Sequence, residues 1–383
     1  MGQLHDKFLG VLLGGAIGDA LGAPTEKHEP DEIIERYGRL VLGFVPPWDG
    51  GRSGRQKGDG HVTDDTLMTA ALCRAYLAKQ APLDAYDARD YLLPEMKRKD
   101  TWVPELQREM PLLERVFYPE KYLHLRLDLA NVEPREAGMG NMVNCGAAMY
   151  AAPIGLLNAA DPDAAYREAI DFFAAHQYSY GREAGGVQAA CVAAALTPNA
   201  SVASIIDSAL RLARDGTKKA IVTALAVVAQ ASVLPVNGAA AGVQPRDLLA
   251  LFAELKIALA PFILGGRTAE RRAAGLPGPH GSIEELPVAL ALLQACGGDY
   301  AQTVLACANY GRDSDSIATM AGSIAGALHG AAVLPRDWVE MVQHKNRIDF
   351  AALSVQLLAL FRVFEQRKHL QHSQRQALLA VWD

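Results

Sequence analysis

The chain has 383 residues, of which 50% are hydrophobic, and its net charge of −6 comes from 37 basic and 43 acidic residues. A chain of this length can bury a large core as one large domain or two ordinary ones, so an enzyme is possible. The sequence has no basic run that could neutralise a phosphate backbone. We therefore expect no obligate nucleic-acid partner.

A glycine stripe opens the chain in residues 10–22, which read GVLLGGAIGDALG. Glycine recurs there at every fourth position, at Gly10, Gly14, Gly18 and Gly22. The run faintly resembles a signal peptide or membrane segment, but Asp19 ends it before the roughly 20 apolar residues that cross a bilayer. We therefore expect no membrane association. Helical glycine costs about 1 kcal/mol relative to alanine, and a stripe of it predicts close approach of two helix backbones.

The first acidic cluster is TDDT, which follows a long predicted loop over residues 43–62 and directly precedes the helical stretch LMTAALCRAYLA. Thr63 is a plausible helix N-cap, and Asp64 and Asp65 then lie in the first turn, at the positive end of the helix dipole. Taken alone, such a cluster is most often only a cap.

The remaining elements are predicted to be helical. The stretch SVASIIDSALRLARDG follows the i, i+3, i+4, i+7 pattern, and Gly216 is expected to stop that helix. Ser282 and Glu285 form a capping box before LPVALALLQA. Similar periodicity marks KKAIVTALAVVAQASVL, PRDLLALFAELKIALAPF, DYAQTVLACANY and the C-terminal AALSVQLLALFRVFEQRKHLQHSQRQALLAVW.

Strand patterns are nearly absent, so the predicted fold class is all-α. No composition shift or linker divides the chain, which favours a single domain over residues 1–383. The charged and aromatic segment 98–140 is interpreted as an insertion over one face. Residues 264–282 are predicted to form a second long loop, and loops of that length are usually functional or mobile.

The second acidic cluster is GRDSDS, again directly before a helix with glycine at every fourth position, IATMAGSIAGALHG. Asp313 and Asp315 are two residues apart and converge only if the chain turns there. If the two clusters meet, their four aspartates repel and need a shared proton or a cation. Carboxylate and hydroxyl oxygens suit Mg²⁺, Mn²⁺ or Ca²⁺ rather than zinc, and two clusters suggest a two-metal site.

The five cysteines are odd in number, widely spaced and without CxxC spacing. This pattern is typical of reduced core residues in a cytoplasmic protein.

Four motifs together resemble the ADP-ribosylglycohydrolase family: GVLLGGAIGDALGAPTE, TDDT, NCGAAMYAAPIGLL and YGRDSDSIATMAGSIAGALHG, in the family's order. The resemblance implies a compact all-α domain with two Mg²⁺ or Mn²⁺ ions in a cleft. By matching motif, it implies as metal ligands Thr63, Asp64, Asp65, Asp313, Asp315 and Ser316. Glu26 matches a glutamate that lies beside the metals in some members, so Glu26, Asp64 and Asp313 are the candidate catalytic groups.

The segment EAGMGNMVNCGAAMYAAP resembles the family's glycine-rich substrate loop. Its backbone N–H groups are expected to meet a diphosphate or ribose. The implied substrate-binding residues are Gly138, Gly140, Asn144, Cys145, Gly146 and His176. Tyr150 stands where the family commonly has arginine, and Arg312 where it commonly has glycine. These departures leave ADP-ribosylated macromolecules and smaller ribosyl compounds both open as substrates.

The favoured hypothesis is metal-dependent hydrolysis at the anomeric carbon of a ribose. One alternative is a Mg²⁺-dependent all-α enzyme acting on diphosphates, although DDTLM lacks the third aspartate of a DDxxD motif. The other is a non-catalytic, crystallin-like member of the same family. Neither the leaving group nor the oligomeric state follows from the residues.

Overall fold

The computed structural model describes residues 2–50, 56–231, 245–263 and 282–382. Residues 51–55 of the first predicted loop and nearly all of the second, residues 264–281, therefore lie outside the described residues.

Helices dominate the described part of the chain, which confirms the all-α prediction. The helices are α1 (Gln3–Gly22), α2 (Pro30–Tyr37), α3 (Asp64–Lys79), α4 (Ala85–Asp87), α5 (Leu93–Met96), α6 (Leu112–Arg115), α7 (Tyr118–His124), α8 (Pro134–Ala137), α9 (Ala152–Leu157), α10 (Pro162–Phe172), α11 (Ser179–Ala195), α12 (Val202–Leu212), α13 (Asp215–Gln230), α14 (Pro245–Leu259), α15 (Ser282–Ala295), α16 (Tyr300–Tyr310), α17 (Ser314–His329), α18 (Arg336–Asn346) and α19 (Phe350–Trp382). Two short antiparallel strands, β1 (Trp102–Val103) and β2 (Arg108–Glu109), lie in the segment predicted as an insertion.

The two glycine stripes face each other, because α1 and α17 form the most extensive helix pair described. Their backbones are in direct contact. A Cβ atom placed on Gly18 would lie 2.1 Å from the carbonyl oxygen of Ala318, and one on Gly326 would lie 2.0 Å from that of Gly10. Side chains at these positions are therefore incompatible with the observed separation, and the predicted close packing is confirmed.

The expectation that the N-terminal apolar run is too short to cross a bilayer is wrong. The segment Gln3–Thr25 is a helix long and apolar enough to cross a bilayer by length and composition. Its apolar window is nonetheless entirely buried inside the protein, and the core helix of a soluble protein passes the same test. Burial of the helix, rather than the length of the apolar run, is what counts against a membrane role.

The other predicted helices are present with small changes in their boundaries. The expectation that Gly216 stops a helix is wrong: α12 ends at Leu212, and Gly216 lies in the first turn of α13, against the ring of Tyr180. Helix α15 begins at Ser282 as expected, but the side chain of that residue, and hence the capping box, lies outside the described residues.

Candidate active site

The first cluster is held in place by a carboxylate from the glycine-striped helix α1. Asp19 is fully buried, and it accepts hydrogen bonds from the backbone N–H of Thr63 at 2.9 Å and of Thr66 at 3.1 Å. The Thr66 hydroxyl also donates to Asp19 at 2.5 Å. Burial raises the pKa of Asp19 to about 6, although these donors oppose the shift. Asp19 thus supports the start of α3, where orphan N–H groups need acceptors.

The start of α3 has the predicted form. Thr63 is the N-cap, and its hydroxyl accepts from the backbone N–H of Asp65 at 3.4 Å. Asp64 and Asp65 follow in the first turn, and both side chains are buried. The cap and the acidic first turn are therefore confirmed as local structure.

The second cluster depends on a left-handed turn before α17. Gly311 has φ +74° and Arg312 has φ +56°. A Cβ atom on Gly311 would lie 2.0 Å from the carbonyl oxygen of His28, so this position requires glycine. The Arg312 backbone bonds to residues 27 and 28, with its N–H 2.9 Å from the His28 oxygen. The turn holds Arg312 against residues 27–28, so the acidic side chains next to these two segments lie close together.

Glu26, Asp313 and Asp315 converge as a result. One carboxylate oxygen from each of these residues lies within 4.8 Å of the other two. The chain therefore turns here, as the two-residue spacing of Asp313 and Asp315 requires.

The electrostatics of this region fit a divalent cation. Burial raises the pKa of Asp65 well above its usual value, and Asp19, Asp64 and Asp313 raise it further. The pKa of Asp315 is also raised, first by burial and then by Glu26. The Oδ1 atom of Asp65 is buried with no hydrogen-bond partner among the described residues. Crowded carboxylates with an unused buried oxygen form a set of oxygen donors that could hold a metal ion.

Lys57 is a site residue that the sequence reasoning missed. Its ammonium group contacts the Glu26 carboxylate and lies 3.4 Å from Oδ2 of Asp315. Although burial opposes the shift, Lys57 and Lys27 lower the pKa of Glu26 to about 2. A lysine therefore neutralises two of the acidic groups that would otherwise repel.

Arg115 was missed as well, and it comes from the segment interpreted as an insertion. Its side chain is completely buried; it forms an ion pair with Asp64 at 2.9 Å and contacts Glu105. The segment 98–140 therefore contributes to the site rather than only covering one face.

A cleft of about 330 Å³ opens beside these groups. Its walls include the predicted residues Glu26, Asp64, Asp65, Asn144, Cys145, Asp313, Asp315 and Ser316. The segment 98–140 adds Phe117, Tyr118, Pro119 and Glu120 to the walls. Burial raises the pKa of Glu120 to about 8, and Asp64 adds to the shift. Thr63 is fully buried and is not one of the residues that line the cleft.

The glycine-rich segment lies only partly along the cleft, and some of its N–H groups are already hydrogen-bonded. The backbone N–H of Gly138 donates to Ala174 at 2.9 Å, and that of Gly146 donates to the Asn144 side chain at 3.1 Å. These two N–H groups are therefore already used within the protein. Gly140 does have the positive φ, +86°, that a tight turn requires, but neither Gly138 nor Gly140 lines the cleft.

His176 lies beneath the cleft rather than in its wall. Its side chain is 1% exposed, its Nδ1 is 2.8 Å from the Tyr150 hydroxyl, and its Nε2 is 3.7 Å from Glu120. Burial lowers the pKa of His176 to about 3. Tyr150, which stands where arginine is common, is thus a buried support for His176.

Arg312 does not turn toward the acidic cluster. Its guanidinium contacts Glu284 and lies 3.3 Å from Glu29. Its left-handed backbone and these two carboxylate partners account for the residue.

Comparisons with known proteins agree with the motifs. The family model for ADP-ribosylglycohydrolase matches residues 1–369. The human (Homo sapiens) ADP-ribosylhydrolase ARH3 is 24% identical, over 94% of this chain and 94% of its own. The ADP-ribosyl-[dinitrogen reductase] glycohydrolase of Rhodospirillum rubrum is 32% identical, but over 37% of this chain and 44% of its own.

A solved structure has a similar fold. A chain of an ADP-ribosylglycohydrolase-related protein complex superposes with a TM-score of 0.58 at 20% identity, and the match covers 94% of this chain and 100% of that one. At this identity the match shows the fold alone.

Proposed function

Because the chain belongs to the ADP-ribosylglycohydrolase family, we propose that it is a metal-dependent hydrolase that cleaves a glycosidic bond at the anomeric carbon of a ribose. The bond is N- or O-glycosidic, in an ADP-ribosylated substrate or a related small ribosyl compound. The observation that carries this proposal is the convergence of Glu26, Asp313 and Asp315 beside the first-turn carboxylates of α3 in one cleft.

The proposed cofactor is a pair of Mg²⁺ or Mn²⁺ ions. The oxygen-bearing residues that would hold them are Thr63, Asp64, Asp65, Asp313, Asp315 and Ser316. When bound, such ions polarise a water molecule and neutralise charge that develops as the bond breaks. The unpartnered Asp65 oxygen and the crowded carboxylates support this assignment.

The chain's own residues supply proton transfer and position the substrate. Glu26, or one of the aspartates Asp64 and Asp313, acts as the general base or acid, because all three carboxylates line the cleft. The exposed aromatic ring of Tyr118, in the wall of the cleft, offers a face on which a nucleobase can stack.

The substrate is a small ADP-ribosyl or ribosyl compound, or an ADP-ribosylated protein. We place the protein in the cytoplasm, a location consistent with five free cysteines, four of which are buried.

The test is a substrate panel of ADP-ribosylated proteins, O-acetyl-ADP-ribose and simple ribosides. Each is incubated with Mg²⁺, Mn²⁺ or a chelator, and the products are separated and identified. We expect one class to release free ADP-ribose or ribose only when metal is present. Asp315→Asn should abolish turnover, whereas the exposed control Glu340→Gln should leave it unchanged.

Three outcomes would refute the proposal. Full activity after metal removal would exclude metal dependence, and release of diphosphate would favour the diphosphate-acting alternative. Metal binding without turnover of any substrate would indicate a non-catalytic member.

A further inference from the structure

One cysteine lies in the wall of the cleft. Cys145 begins a 3₁₀ turn, Cys145–Ala147, and its Sγ atom is 3.1 Å from Oδ2 of Asp313. Both residues border the cleft, and Cys145 is buried. The thiol is therefore adjacent to one of the carboxylates assigned to metal binding.

A third donor completes the group. Glu285, on α15, is 1% exposed, and one of its carboxylate oxygens lies within 4.8 Å of both the Cys145 Sγ atom and an Asp313 oxygen. Two ligands of one ion, each about 2.0–2.3 Å from it, lie at most about 4.6 Å apart. The three donor atoms are thus close to the spacing that a shared ion needs, with no rearrangement of the backbone.

An oxygen of the neighbouring acidic cluster, on the same wall, also points to a cation. The Asp65 Oδ1 atom is buried and has no hydrogen-bond partner among the described residues. The Asp65 carboxylate is close enough to act on the Cys145 thiol, whose pKa is raised by burial first and then by Asp313, Glu285 and Asp65. A buried carboxylate oxygen without a partner is costly, and a cation would compensate this Asp65 oxygen.

The position of the thiol is held rigidly. The Asn144 side chain accepts from the backbone N–H of Gly146 at 3.1 Å and from the Gln177 amide at 2.7 Å. A Cβ atom on Gly146 would lie 2.5 Å from the Glu120 carboxylate, so the turn packs tightly on both sides. Ligands held in this way bind metal with little loss of conformational entropy.

We propose that Cys145, Glu285 and Asp313 form a thiolate-containing metal position at the side of the cleft that selects thiophilic divalent ions such as Zn²⁺, Co²⁺ or Cd²⁺. Sulfur ligands favour these ions over Mg²⁺. On binding, the thiol proton passes to solvent and the metal–sulfur bond replaces the S–H···O contact with Asp313. This inference deepens the proposed function, with which it shares Asp313.

The test uses the full chain after removal of metal. Co²⁺ is titrated in, and the thiolate-to-metal charge-transfer absorption is recorded. We expect a band that saturates in the wild type and is absent in Cys145→Ser, a variant that keeps a donor toward Asp313. Cys296→Ser, which removes a half-buried thiol outside the cleft, should keep the band. Glu285→Gln should weaken Co²⁺ binding by at least about tenfold.

Mn²⁺ binding, measured by electron paramagnetic resonance, checks the fold of the variants. Cys145→Ser should bind Mn²⁺ like the wild type through the oxygen ligands. An equal Co²⁺ band in Cys145→Ser, or Mn²⁺ binding with no Co²⁺ band in the wild type, would overturn the inference. A band without hydrolysis of any ribosyl substrate would support the thiolate position while the proposed function failed.

Discussion

The backbone contact between α1 and α17 makes a sharp prediction for Gly18→Ala. The added Cβ would lie 2.1 Å from the carbonyl oxygen of Ala318 and 2.6 Å from its carbonyl carbon. Both neighbours are helix backbone and cannot rotate away. Since normal contact begins above 3.0 Å, the two helices must separate by about 1 Å at this point.

The expected loss of stability follows from two opposing effects. Overpacking a core typically costs about 1–3 kcal/mol, and a clash with rigid helix backbone falls at or above the upper end. Alanine gains about 1 kcal/mol over glycine in helix propensity. The net expectation is that Gly18→Ala lowers the free energy of unfolding by about 2 kcal/mol.

The same helix offers a matched control. A Cβ on Gly15, which is also buried, would meet its nearest neighbour, the Ser323 Cβ atom, at 3.5 Å, an ordinary contact. Gly15→Ala should therefore leave the urea unfolding curve unchanged or shift it to higher stability. Equal stability of the two variants would refute the packing argument.

The variant should also weaken metal binding. Gly18 precedes Asp19, which supports the start of α3, and Ala318 lies one turn after Asp315 in α17. If the contact between α1 and α17 is displaced, both acidic clusters move with these helices. We expect Gly18→Ala to bind Mn²⁺ less tightly by titration than Gly15→Ala. Equal affinity of the two variants would show that packing of the glycine stripes does not affect the metal site.

Three further predictions concern the buried charges. Lys57→Met removes an ammonium group that competes with a cation for the assigned ligand Asp315 and for the neighbouring Glu26, so Mn²⁺ affinity should rise by about tenfold, or about 1.4 kcal/mol; equal or weaker binding would contradict this. Arg115→Met leaves Asp64 buried without its ion-pair partner and should lower the free energy of unfolding by about 3–5 kcal/mol in urea titrations; a loss below 1 kcal/mol would show that the pair is not needed. His176 has a pKa lowered to about 3 from 6.5, so the unfolded chain binds a proton that the folded protein does not, and stability present above pH 6.5 is lost as the pH falls toward 3. His176→Asn should make the decline between pH 6 and 4 shallower by up to about 1.4 kcal/mol per pH unit, and an unchanged slope would refute the assignment.

The sequence by itself determined the features that depend on residue spacing. Helical periodicity and the lack of strand patterns were sufficient for the all-α fold, because amphipathic order is local. The glycine stripes were readable because glycine at every fourth position has few other uses in a helix. Thr63 and the aspartates that follow it were likewise recognisable from the N-cap pattern.

Only the tertiary structure decided which distant charges meet. Lys57, Arg115 and Glu120 carry no local pattern that distinguishes them from exposed residues. Lys57 and Arg115 contact acidic groups of the cleft and Glu120 lines it, because long-range folding brings their segments there. In the same way, Gly138 and Gly146 have N–H groups that look available in sequence but are used by partners elsewhere in the fold. Spacing along the chain fixes the local conformation, whereas electrostatic neighbours and hydrogen-bond satisfaction depend on long-range packing.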